Sequence, residues 1–178
     1  MKNFLNISDL SAQELKEIIE EAKSRKLKRK GFNKSEPDKD KPFSGMSMIM
    51  MFEKPSTRTR ISFDIAAKQL GGSTIILNQD GIHYGKGDES IKDTAKVLSQ
   101  YADMIMIRTA SHKNLDEFAK HSDIPVINGL SELSHPCQIM SDILTFEETK
   151  GSIKGKTIAW LGDGNNNMSN SFIEASAK

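Results

Sequence analysis

Between Met46 and Leu70 an apolar run gives way to a short break and then to a helical pattern whose first turn carries two arginines. Met48, Ile49, Met50, Met51 and Phe52 are too few to cross a membrane but match the length of a buried strand. Pro55 bars the residue before it from helical backbone, and Ser56 is a natural N-cap. Ile61, Ile65, Ala66 and Leu70 recur at helical spacing until Gly71 and Gly72 stop the pattern. The stretch therefore predicts a strand, a break and a helix that opens over Ser56 to Arg60. A helix start presents unpaired backbone N–H groups and a positive dipole end. Here the hydroxyls of Ser56, Thr57 and Thr59 and the guanidinium groups of Arg58 and Arg60 join it, a set of donors suited to a phosphate. Arg58 and Arg60 lie two apart and cannot share one helical face. One of them points at the ligand, while the other braces the loop or binds a carboxylate. The plain alternative is a capped surface helix with solvated arginines, and the strand before it and the helix after it weigh against that.

The rest of the chain reads as alternating strands and helices, which predicts an α/β fold: a parallel sheet flanked by helices on both faces. Ser11 with Glu14 forms a capping box, and Leu15, Ile18, Ile19 and Ala22 make one apolar stripe, giving an amphipathic helix to about Lys26. Lys23 to Lys41 mixes basic residues with Glu36, Asp38 and Asp40 and has no apolar period. It reads as an exposed loop, with a basic partner-binding patch as the alternative. Ser73 to Leu77 is a short strand, Asn78 to Glu89 a glycine-rich loop containing His83, and Ser90 caps a helix with Ile91, Ala95 and Leu98 facing inward. Asp103 to Ile107 is a strand with Arg108 at its carboxyl end, where open parallel sheets bind ligands. Arg108 is thus a candidate to join Arg58, against the alternative of a strand-terminal arginine snorkelling to water.

Leu115 to His121 reads as a short helix and Pro125 to Ile127 as a short strand. Pro136 suits the first turn of a helix running to Lys150. His135 and Gln138 then sit three apart at that helix's start, able to face one ligand. Structural capping by His135 is the alternative, and it leaves Gln138 unexplained. Cys137 reads as a small packed side chain, because no histidine and acid single it out as a nucleophile. His112 and His121 are expected at the surface, and four scattered histidines with one cysteine suggest neither a metal site nor a cofactor. Gly151 to Lys156 is a linker, followed by a strand over Thr157 to Leu161 and a Gly162-Asp163-Gly164 turn. That turn lacks the third glycine and downstream acid of a dinucleotide fingerprint.

Composition limits the partners. With 178 residues, 37 % of them hydrophobic, and a net charge of +1, the chain is expected to be soluble, globular and of one domain or slightly more. The balanced charge argues against nucleic acid but leaves room for one basic pocket holding a small phosphorylated metabolite. The polar N-terminus predicts neither a secretory signal nor a membrane anchor. The lone Cys137 suits a cytoplasmic protein without an internal disulfide.

Phe52-x-Lys54-x-Ser56-Thr57-Arg58-Thr59-Arg60-x-Ser62-Phe63 resembles the carbamoyl-phosphate loop of the aspartate and ornithine carbamoyltransferases, and Lys54 is the residue of the ornithine branch. The resemblance continues through His135-Pro136-Cys137-Gln138 and Gly162-Asp163-Gly164-Asn165-Asn166-Asn167, covering nearly all of the chain after Phe43. It implies a carbamoyl-phosphate-binding domain over residues 1–150 and the start of an ornithine-binding domain over 151–178. The implied reaction is carbamoyl phosphate plus L-ornithine to L-citrulline plus phosphate, a step of arginine metabolism that needs no metal. Ser56, Thr57, Arg58, Thr59 and Arg60 would hold the phosphate, with Thr59, Arg108 and His135 at the carbamoyl oxygen and Gln138 at its amide. Asn167 would contact ornithine. His83, in IHYG, would enter a neighbour's site in a homotrimer. The family's Asp-x-x-x-Ser-Met-Gly and His-Cys-Leu-Pro segments do not occur in these residues, so the chain by itself is expected to make little or no citrulline. Another amine acceptor (aspartate, putrescine or an acylated ornithine) and a non-catalytic binding or assembly module remain the alternatives.

Overall fold

The apolar run after Met46 becomes β1 (Ser47–Phe52), and every residue from Met48 to Phe52 is buried. Burial on both faces of one strand requires layers above and below it. The computed structural model, which describes residues 2–78 and 89–178, supplies them. Ile49 and Met51 pack with Ile105, Ile107, Leu115, Phe118 and Val126 on one side, while Met48, Met50 and Phe52 pack with Ala67 and Met106 on the other.

The sheet is parallel and has the order β2-β1-β3-β4, with β2 at Ser73–Asn78, β3 at Met104–Arg108 and β4 at Val126–Leu130. The chain leaves β1 through α2 (Thr57–Gln69) to β2 on one side, then returns to β3 on the other. The strand order therefore reverses between β1 and β3, and their carboxyl ends flank the crevice where such sheets take ligands. Register fixes the details: Phe52 lies opposite Arg108. Beyond β3, α4 (His112–His121) crosses to β4, and α5 (Pro136–Lys150) follows with Pro136 in its first turn, as the sequence predicts. α3 (Ile91–Leu98) starts at the cap expected of Ser90, whose hydroxyl accepts from Asp93 N–H.

A second core lies off the sheet. Ile7, from a 3-10 turn at Ile7–Asp9, packs with Leu10, Leu15, Ile19, Ile139 and Met140. Met168, Phe172 and Ala175 of α6 (Asn167–Ser176) close over it.

Several expectations need correction. α1 (Ala12–Lys28) has the predicted capping box but runs past Lys26. The segment after it folds back, because Asp38 is buried against Arg25 (2.7 Å) and Arg29, and Asp40 pairs with Arg25 at 3.0 Å. Arg25 and Arg29 are thus neutralised within the segment itself. β4 extends past Ile127 because Gly129 fits a close approach: a Cβ there would lie 2.3 Å from Met106 Sδ. α4 begins at His112, since Ser111 caps it by accepting from Asn114 N–H. That start turns His112 inward, buried, with Nδ1 2.7 Å from Ser131 Oγ, and His121 is half-buried. Thr157 to Leu161 is not a strand. It has no ladder partner among the described residues, and Leu161 is 93 % exposed.

Candidate active site

Where β1 ends, Pro55 breaks the chain direction and α2 starts at Thr57. Ser56 occupies the N-cap position in extended backbone, yet its hydroxyl makes no capping bond. The first-turn N–H groups of α2, which a helix cannot satisfy internally, thus face outward together with a hydroxyl.

Arg108, the last residue of β3, reaches the same turn: its Nη1 donates to Thr59 Oγ1 at 3.2 Å. Its Nε is buried without a hydrogen-bond partner among the described residues. Burial, and secondarily the charge of Arg58, lowers its pKa below the usual arginine value. A desolvated cation beside a second cation favours an anion between them.

The backbone beneath this pair is held by Glu53, which sequence reasoning passed over. Its N–H donates to Arg108 C=O at 3.0 Å. Its carboxylate accepts from Thr109 Oγ1 at 2.7 Å and Ala110 N–H at 2.9 Å. No local pattern marks that role, because it depends on β1 and β3 being neighbours.

α5 supplies the third wall. His135 is its N-cap residue, but the side chain makes no capping bond, and Nδ1 is buried without a partner among the described residues. Burial pushes the imidazole pKa down to about 4, Arg108 adds to the effect, and Asp142 partly offsets it. His135 is therefore neutral near pH 7, able to donate one ring N–H without adding charge. Gln138 lies beside it, with Nε2 donating to Asp142 Oδ1 at 2.9 Å.

These groups share a cavity of about 530 Å³, lined by Ser56, Thr57, Arg58, Thr59, Arg108, His135 and Gln138, with Pro55, Leu130 and Met168 as its apolar wall. Arg60 lies across the turn, in a second cleft with Lys54, Ile61 and Asn78. The two arginines thus face different spaces, as their spacing requires. Asn167 lines neither cavity, and its Nδ2 donates to Ser131 C=O at 2.7 Å. His83 lies outside the described residues. The Cys137 thiol donates to Asn128 C=O at 3.5 Å, and burial pushes its pKa up to about 12, which fits a packed side chain. Among the described residues, no group of three or more histidine, cysteine, aspartate or glutamate side chains could hold a metal ion. No described helix is long and apolar enough to cross a membrane.

Residues 2–148 match the family model described as aspartate/ornithine carbamoyltransferase, carbamoyl-P binding domain. The chain belongs to that family. Among carbamoyltransferase relatives, the ornithine carbamoyltransferase of Agrobacterium fabrum is 51 % identical over 177 residues, covering 99 % of this chain and 56 % of that protein. The solved ornithine carbamoyltransferase of Pyrococcus furiosus superposes with a TM-score of 0.89 at 42 % identity, covering 98 % of this chain and 53 % of that one. That of Burkholderia thailandensis gives 0.90 at 37 % identity, with 99 % and 59 % covered. The chain spans about half the length of the carbamoyltransferases it matches. The shared carbamoyltransferase fold accounts for the parallel sheet and for the crevice between β1 and β3.

Proposed function

We propose that this chain supplies the carbamoyl-phosphate half of an ornithine carbamoyltransferase, the transferase that moves the carbamoyl group to the δ-amine of L-ornithine. In this reading residues 1–150 are the carbamoyl-phosphate-binding domain and 151–178 open the ornithine-binding one. The observation that carries it is the convergence of Arg58, Arg108 and His135 on one cavity at the start of α2.

The phosphate sits on the α2 turn, where backbone N–H groups, the Ser56 and Thr57 hydroxyls and Arg58 neutralise the charge that grows as it leaves. The carbamoyl oxygen lies toward Arg108, Thr59 and His135. Thr59 Oγ1 accepts from Arg108 and keeps its own proton to donate. His135 donates a neutral N–H, and Gln138 accepts from the carbamoyl amide and orients it. The neutral δ-amine attacks the carbonyl carbon, the C–O bond to phosphate breaks, and the surplus amine proton leaves with the phosphate. Resemblance to the family extends the reading to a homotrimer, with His83 contributed to a neighbour's site, and to a cytoplasmic enzyme of arginine metabolism.

A second reading, a carbamoyl-phosphate-binding or assembly module without turnover, draws support from the engagement of Asn167 with Ser131. Calorimetric titration with carbamoyl phosphate tests the shared part: saturable binding displaced by inorganic phosphate is expected, and no heat above dilution would contradict it. Adding ornithine and measuring citrulline then separates the two readings.

A further inference from the structure

His135 is borne by a loop, Ser131 to His135, that one face of α6 grips along its length. Asn167, Asn170 and Ser171 fall at helical spacings that align on one side. Asn167 Nδ2 donates to Ser131 C=O at 2.7 Å and Asn170 Nδ2 to Leu133 C=O at 3.1 Å. The innermost contact is Ser171, which has no exposed surface. Its Oγ accepts the His135 backbone N–H at 2.9 Å and lies 3.2 Å from Ser134 Oγ. From the other side Ser134 N–H donates to Ser131 Oγ at 3.1 Å, and that oxygen is 2.7 Å from His112 Nδ1.

We infer that Ser171 is a positioning residue for His135: it fixes the backbone from which the imidazole projects, so that the ring faces Arg108 and Gln138 in the cavity. The His135 amide is a donor that any acceptor could satisfy, and the acceptor it finds on α6 is the buried Ser171 hydroxyl. A loop released there would let water reach the ring, whose Nδ1 is buried with no partner among the described residues. The functional meaning rests on the proposed role of His135 at the carbamoyl oxygen; the geometric claim does not. It also makes α6, outside the matched residues 2–148, part of the site's architecture.

The test is an NMR titration of the His135 ring in the full chain, with thermal melting alongside. In Ser171→Ala the titration midpoint, about 4 in the unmodified chain, is expected to rise by about one unit or more toward the ordinary histidine range. Exchange of the His135 amide should accelerate about tenfold or more. Ser171→Cys, nearly isosteric with a weaker acceptor, should fall between, and it decides the matter if the alanine variant does not fold. Phe118→Leu, in the other core, controls for lost stability and should leave the ring unchanged. A folded Ser171→Ala or Ser171→Cys chain whose midpoint stays within about 0.2 unit of the unmodified value overturns the inference, whatever its melting temperature. Failure of the unmodified chain to bind carbamoyl phosphate would count against the functional reading alone, because the ring titration requires no ligand.

Discussion

Arg108 Nη1 donates to Thr59 Oγ1 across 3.2 Å, tying the carboxyl end of β3 to the first turn of α2. The contact aims a partly desolvated guanidinium at the helix terminus that also carries Arg58. Because the hydroxyl accepts from Arg108, its proton remains available to a ligand.

Replacing Thr59 with valine keeps the shape and deletes the acceptor. A hydrogen bond to a charged group contributes about 1.5–3 kcal/mol, so carbamoyl-phosphate affinity should fall about tenfold or more. Thermal stability should fall as well, because the valine leaves Arg108 Nη1 without the acceptor it has in the unliganded chain. Unchanged affinity by calorimetry would show that Thr59 does not hold carbamoyl phosphate.

His135 makes stability depend on pH with a definite sign. Its folded pKa, about 4, lies below the ordinary value of 6.5, so the unfolded chain binds the extra proton first. Its contribution should be fully present above pH 6.5 and be lost progressively as pH falls toward 4, by at most about 3 kcal/mol. Above pH 5 the lowered carboxylates, such as Glu147, remain ionised and do not mask it. Thermal melts at pH 5 and pH 7 should therefore differ less for His135→Gln than for the unmodified chain. An equal difference in both would contradict the assigned shift.

Cys137 should be inert while the chain is folded. With its pKa pushed up to about 12, the thiolate fraction at neutral pH is negligible, and the side chain is packed against Asn128. Reaction with a disulfide reagent should be at least about a hundredfold slower in the native chain than in urea. Comparable rates would show the thiol to be accessible.

Gly129→Ala should destabilise the sheet beside the site. The new methyl would meet Met106 Sδ at 2.3 Å and Ile107 C=O at 3.3 Å, and Met106 is fully buried. Overpacking of this kind costs about 1–3 kcal/mol, visible as a lower urea midpoint with an unchanged slope. A midpoint equal to that of the unmodified chain would mean that β4 has room to move.

Local signals carried much of the architecture. The apolar run of β1, the Pro55–Ser56 break, the Ser11 and Ser90 caps and Pro136 all act within a turn or two of themselves, and the elements they predict are present. Arg58, Arg108, His135 and Gln138 were legible as candidates because strand ends and helix starts are where parallel sheets gather ligands. What stayed hidden depends on distant neighbours. His112 is buried by a cap at Ser111 and a partner at Ser131, Glu53 acts on backbone that the sheet brings near, and Ser171 on backbone that the packing of α6 brings near. Thr157 to Leu161 has strand composition, but a strand also needs a ladder partner.

Arg58 lines the cavity that holds Arg108 and His135, whereas Arg60 lines the adjoining cleft that shares Pro55, Ser56 and Thr57 with it, so the phosphate is expected on Arg58 and not on Arg60. Calorimetric titration of carbamoyl phosphate into the unmodified chain, Arg58→Gln and Arg60→Gln tests it directly. An affinity loss of about a hundredfold or more is expected for Arg58→Gln and of less than about threefold for Arg60→Gln. Undiminished binding by Arg58→Gln, or equal losses in both variants, would contradict it.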